Sequence, residues 1–207
     1  TATHPGQVVA INDFTRQSCS ENQEFLGFGT LHPGYEDIPG EARRIREMGL
    51  RGVKLHPDFQ RFAIDDPAAF PIYESCQELG LPILFHTGDA RYDWSAPARM
   101  EAVAKRYPGL TCIAAHFGGY SHWQDVERYR DLPNVWFDTS SSLFCLPRER
   151  ALALIRLLGH RRFLFGTDFP MWDHGEELER FLSLDLPEEI RDDILYRNFQ
   201  RLFEVEL

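Results

Sequence analysis

No two cysteines in this chain stand in a Cys-x-x-Cys spacing, and several other absences narrow what the chain can be. Cys19, Cys76, Cys112 and Cys145 lie far apart along the sequence. That pattern argues against a disulfide framework or cysteine-held zinc, and for reduced thiols in or near the core of a cytoplasmic protein. No stretch approaches the ~20 apolar residues of a membrane span. The opening residues do not read as a signal peptide. Lys and Arg number 22 against 32 Asp and Glu, a net charge of -10, and no dense basic run occurs. Nucleic acid and anionic membrane surfaces are therefore poor partners. Neither a GxGxxG fingerprint nor a P-loop is present, so a nucleotide-binding sheet has little support. With no low-complexity segment or linker, residues 1–207 are expected to form one domain.

What is present is a repeat. Runs rich in β-branched and aromatic residues recur at 25–31, 52–56, 82–86, 110–116, 135–138 and 162–168. Their spacing is about one βα unit, on the order of 30 residues. Segments of helical period fall between them, at 38–48, 67–79, 96–106, 122–129 and 147–158, and most stop at Gly or Pro. A helix is also expected over 7–16, and two more over 176–203 with a break at Leu186-Pro187. Runs such as PILF and TCIAA are almost continuously apolar, as suits strands of a parallel sheet covered on both faces. Strands alternating with helices predict an α/β fold. The pattern is that of a TIM-type (β/α)8 barrel, with about six of its eight strands in this chain.

The runs end in His32, His56, His86, His116, Asp138 and Asp168. In such a barrel the carboxyl ends of all strands share the face that carries the chemistry. His and Asp are common ligands of a hydrolytic divalent metal, so their convergence there predicts a metal site. Each residue also has a plainer reading. His32 and His56 sit in Leu-His-Pro, where a ring bonded to the turn backbone is expected. Lys54, inside GVKLHP, reads as an ion-paired residue, with a carbamylated metal bridge as the alternative. Asp138 reads as either an orienting group for a histidine or a structural carboxylate. His86 and His116 read as active-site histidines. Asp168, after an apolar strand and a glycine, needs a cationic partner. His4, His122, His160 and His174 read as solvent-facing. The segment GDARYDW, with Arg91 and Tyr92, would overhang the site as a substrate loop or as plain surface.

The segments GVKLHPDFQ, PILFHTGDARYD, IAAHFGGYSHW, FDTSSS and FLFGTDFPMW resemble the amidohydrolase superfamily. The branch they are most similar to includes the aminocarboxymuconate-semialdehyde and resorcylate decarboxylases. The resemblance implies a distorted barrel, and His86 as a metal ligand from its fifth strand. It further implies His116 as the sixth-strand histidine at metal or substrate, and Asp168 as the eighth-strand carboxylate that touches the metal or its water and moves a proton. The metal would be divalent, zinc first and manganese second. Arg91, Tyr92, His56, Phe117 and Trp172 would face a small-molecule substrate. The family's first strand carries a His-x-His pair that this sequence does not contain, so the expected barrel is incomplete at its N-terminal end. The first functional expectation is hydrolysis, metal-activated water attacking a carbonyl or ester-like carbon. The alternatives are a metal-dependent, non-oxidative decarboxylase of an aromatic or unsaturated acid, and a metal-free, non-catalytic fragment pairing through open strand edges as a homodimer.

Overall fold

The computed structural model describes residues 1–206. Five short parallel strands form one sheet in sequence order: β1 (Val53–Leu55), β2 (Ile83–Phe85), β3 (Cys112–Ala114), β4 (Val135–Asp138) and β5 (Phe163–Leu164). Two helices, α1 (Val8–Glu21) and α2 (Ile38–Glu47), precede β1, and α3 (Pro57–Gln60), α4 (Phe70–Leu79), α5 (Pro97–Arg106) and α6 (Arg148–Leu158) run between the strands. This strand-helix order with a parallel sheet is a partial (β/α) barrel. Local chemistry sets the helix limits. Asp37 accepts the Gly40 N–H at 2.9 Å to start α2, and Gly80, in the left-handed region at φ 63°, ends α4. No helix is long and apolar enough to cross a membrane among the described residues.

The register sorts the strand residues into layers. Val53, Leu55, Ile83, Phe85, Cys112, Ala114, Val135 and Phe137 point outward and are fully buried beneath the helices. The alternate residues point to the inner face, where Lys54, Leu84, Ile113 and Trp136 are in register as one rung. Ile113 and Leu164 pack there with Phe28, Leu84, Trp136, Phe199 and Phe203, the last two from α9 (Asn198–Phe203). Lys54 is the one charged member of an otherwise apolar rung.

Three predicted elements come out differently. The run at 25–31 contributes a single bridge, Gly29 to Val53, in place of a sixth strand; its two glycines have no side chains to pack on a sheet. The helix expected over 122–129 is reduced to 3-10 turns, since its buried apolar residues, Val126 and Tyr129, stand three apart. The last run stops at Leu164 because the Phe165 N–H turns to the Ile194 carbonyl at 2.8 Å. Ile194 lies in a π-helical turn (Asp193–Arg197) joining α8 (Glu188–Asp192) to α9, so the outer edge of β5 is partly covered. The break at Leu186-Pro187 is present, between α7 (His174–Leu182) and α8. All four cysteines are free; Cys76 and Cys112 are buried, and Cys145 is exposed.

Candidate metal centre and active-site cavity

One rung above Lys54 on the inner face, the strands give way to His56, His86 and Asp138. The rings of His56 and His86 stack, with centroids 3.9 Å apart and planes 8° from parallel. His116 follows β3 with φ at 60°, and Phe117 at 53°; two consecutive side-chain-bearing residues in the left-handed region are a strained turn of the kind found at functional sites. The turn brings His116 Nε2 to 3.0 Å from His86 Nδ1. Gly88 closes against the same turn. A Cβ there would lie 2.4 Å from the Gly119 carbonyl oxygen.

The hydrogen bonds fix where the protons sit. His116 Nδ1 is 3.1 Å from the Ser140 carbonyl, which can only accept, so that nitrogen carries the hydrogen. Asp138 Oδ1 accepts from the His116 N–H at 2.9 Å, the Ser140 N–H at 3.0 Å and the Ser140 hydroxyl at 2.5 Å. Burial disfavours the protonated form of both His116 and His86, reinforced for His86 by the neighbouring His116. A neutral His116 then offers its Nε2 lone pair, and His86 Nδ1 donates to it. The remaining nitrogen, His86 Nε2, is left with a free lone pair. It is buried, has no hydrogen-bond partner, and lies 4.0 Å from Asp58 Oδ2. Asp58 Oδ1 is likewise buried and unpartnered, while Oδ2 accepts from the Ser95 hydroxyl at 2.5 Å. Burial raises the Asp58 carboxyl above its usual range and lowers His56 to about 4.

His56, Asp58 and His86 offer one ligand atom each within 4.8 Å of one another. Two imidazoles and a carboxylate suit a divalent metal, and three protein ligands leave a position open for a reactant. The two unpartnered atoms, His86 Nε2 and Asp58 Oδ1, are what a cation would satisfy.

Around this trio lies a cavity of about 510 Å³, lined among others by Lys54, Phe59, Asp89, Arg91, His116, Tyr120, Ser141, Asp168 and Trp172. The expected site residues are distributed unevenly around it. Both ring nitrogens of His116 are engaged, one with Ser140 and one with His86. Asp168, at φ 59°, faces the cavity, but its Oδ2 accepts from the Ser141 hydroxyl at 2.6 Å, and Ser141 in turn accepts from the Trp172 indole at 3.0 Å. Among the described residues, the ligand atoms that lie within 4.8 Å of that of His86 as one group are those of His56 and Asp58. Arg91 lines the mouth, held by a bidentate pair with Asp89 at 2.7 and 2.9 Å that keeps the Asp89 carboxyl below its usual range. Tyr92 stands outside the cavity, stacked on Trp94 at 4.6 Å in an outer depression. Phe117 does not face substrate: the left-handed turn drives it into the core against Phe163, fully buried. His56 does accept the Phe59 N–H at 3.4 Å, the turn role its Leu-His-Pro setting suggests, and also belongs to the trio. His32 accepts from the Gly34 N–H at 3.0 Å. His160, expected in solvent, instead lies 3.1 Å from Asp193. Lys54 has no carboxylate within 4.0 Å of its ammonium among the described residues, so the expected direct ion pair is not formed. Asp58 was legible only as the second half of His-Pro-Asp, a two-residue ligand spacing hidden inside a turn motif.

Residues 2–205 match the sequence profile of the amidohydrolase family. A curated relative, 2-amino-3-carboxymuconate-6-semialdehyde decarboxylase from Dictyostelium discoideum, is 38% identical over 203 residues, 77% of this chain and 55% of its own length. The chain thus spans about half the length of that relative. Among solved structures, 5-carboxyvanillate decarboxylase from Novosphingobium aromaticivorans, crystallised with manganese, superposes with a TM-score of 0.80 at 16% identity, covering 97% of this chain and 71% of that one. A dihydroxybenzoic acid decarboxylase from Polaromonas sp., also with manganese, gives 0.75 at 20% identity, covering 97% and 75%. At that identity the two solved structures speak for the barrel fold alone. The matched profile runs almost end to end, and with it the chain belongs to the amidohydrolase family.

Proposed function

We propose that this chain carries the site of a metal-dependent, non-oxidative decarboxylase acting on a small carboxylic acid. The observation that carries the reading is the buried, unpartnered lone pair of His86 Nε2 beside Asp58 and His56, at the base of a cavity with an arginine at its mouth. The named activity of the 38%-identical relative favours a lyase over the hydrolase that the sequence first suggests. His56, Asp58 and His86 would hold the metal. Bound there, a divalent cation supplies a Lewis acid that draws electron density from the substrate's oxygens. The donor set accepts zinc or manganese.

The chain's own residues do the rest. Arg91 meets an incoming carboxylate at the mouth, sharing its guanidinium with Asp89. In the reaction the bond between the carboxyl carbon and its neighbour breaks. The electron pair stays on the neighbouring carbon, CO2 leaves, and the carbon takes a proton. Asp168, with Ser141 bonded to one oxygen, is the cavity carboxyl placed to carry that proton. His116 holds His86 in its ligating tautomer.

The test is CO2 release by the manganese- or zinc-loaded protein from a panel of aromatic and unsaturated acids. Asp168→Asn should lose at least about a hundredfold in turnover with metal content unchanged. Asp58→Asn should lose metal by elemental analysis. Water consumed without CO2 would return the hydrolytic reading, and normal turnover in Asp168→Asn would remove Asp168 from the chemistry.

A further inference from the structure

Ser95 is a fully buried residue at the end of the loop that follows β2. Its hydroxyl donates to Asp58 Oδ2 at 2.5 Å, although the two residues stand 37 positions apart in the chain. Asp58 lies in the first turn of α3, and its second oxygen, Oδ1, is buried and unpartnered. Backbone hydrogen bonds fix Ser95 in turn. Its carbonyl accepts the Gly88 N–H at 2.9 Å, which joins the two ends of loop 88–95, and the Trp94 carbonyl accepts the Ile64 N–H at 2.9 Å. Arg99, in the first turn of α5, ties the same two segments nearer the surface. It donates to the Asp65 carboxylate at 2.7 Å, and to the Asp93 carboxylate and carbonyl at 2.8 and 2.9 Å.

A hydroxyl fixed in this way restrains the carboxylate it meets. Turning the Asp58 carboxylate about its Cβ–Cγ bond would break the hydrogen bond, so its oxygens stay as they are, with Oδ2 4.0 Å from His86 Nε2. A ligand that can turn freely loses that freedom when it takes up a cation, and one already held does not. Packing alone does not call for serine here. An alanine would fill nearly the same space without the cost of burying a hydroxyl. We infer that Ser95 is a positioning residue for the metal centre: it presets the Asp58 carboxylate and joins that ligand to the loop that carries Arg91. The inference rests on the reading of His56, Asp58 and His86 as metal ligands.

Cobalt(II) is the probe, because its visible absorption reports the arrangement of ligands around the ion. Ser95→Ala should weaken cobalt binding at least about tenfold, in competition with a chelating dye. At saturation its visible bands should differ from those of the wild type, with the circular dichroism of the metal-free protein unchanged. Ser95→Thr keeps the hydroxyl and should return both readouts towards wild type. Should the added methyl unfold that variant, the alanine variant decides alone. Wild-type affinity in Ser95→Ala would overturn the inference, and so would a lowered Tm with unchanged cobalt bands, which is what a packing role predicts. Asp58→Asn separates this inference from the reading beneath it. If the wild type binds no cobalt, or Asp58→Asn binds it equally well, the trio is no metal site and both fall. If Asp58→Asn loses the metal while Ser95→Ala binds and absorbs as the wild type does, only the role of Ser95 falls.

Discussion

His86 Nδ1 donates to His116 Nε2 across 3.0 Å, and this contact decides which nitrogen of His86 is free to bind a cation. The direction is imposed by the Ser140 carbonyl, which accepts from His116 Nδ1, while the Ser140 hydroxyl gives its hydrogen to Asp138 Oδ1. Groups that orient a ligating histidine in this way are worth about 10–100-fold in metal affinity. His116→Phe removes the acceptor and should weaken manganese binding by that order, in a competition titration against a chelating dye. Unchanged affinity would mean that His86 keeps its tautomer without help.

Phe117 offers the opposite case. The residue beside His116 is buried against Phe163 and Phe137 lies behind that ring. Phe117→Ala should therefore act on stability, lowering it by about 3–5 kcal/mol in urea unfolding. A pocket residue would instead change ligand affinity with little loss of stability, and that outcome would contradict the buried placement.

Gly88 takes φ of 79°, and any Cβ would press on the backbone of Gly119, with the carbonyl oxygen at 2.4 Å and its carbon at 2.5 Å. Neither side can yield without moving the turn that carries His116. Gly88→Ala should cost about 2 kcal/mol or more, read as a lowered Tm. Metal binding should fall with it. A substitution tolerated on both counts would show that the two turns are not in register contact.

Acid should destabilise the metal-free protein. His56 titrates at about 4 in the fold, and burial holds His86 and His116 below the usual value too. Below an unfolded pKa of about 6.5, the unfolded chain takes up protons that the folded chain refuses. Stability is therefore complete above that pH and falls as the pH drops towards 4, by at most about 1.4 kcal/mol per pH unit for each histidine. Urea midpoints between pH 7 and pH 5, with chelator present, measure the slope. A flat profile would mean that the three rings are solvated.

The order of strands and helices was legible because each strand is a short apolar run bounded by Gly or Pro, and the parallel sheet keeps them in sequence order. Strand-end positions made His56, His86, His116 and Asp168 visible, and all four line one cavity. Their division of labour was not visible. It depends on left-handed backbone at His116, Phe117, Ser141 and Asp168, which turns each side chain away from where alternation along a strand would send it. None of these residues is a glycine, so the sequence carries no mark of the conformation. The same turn explains why Phe117 reads as pocket and is core. Asp58 was masked for another reason: it sits in the first turn of a four-residue helix, Pro57–Gln60, where an acidic residue is ordinary helix chemistry.

Lys54, His116 and Asp168 line both the site cavity and a second one of about 280 Å³ on the inner face, walled by Phe28, Leu84, Ile113, Leu164 and Phe203. The partition between the two spaces is thus three side chains, an imidazole, a carboxylate and a flexible amine. Enlarging the partition residue at position 54 would shorten the longest molecule the site can hold, and trimming it would join the spaces into one channel along the strands. Length discrimination, in this geometry, would be set from beneath His56, Asp58 and His86 rather than from the cavity mouth.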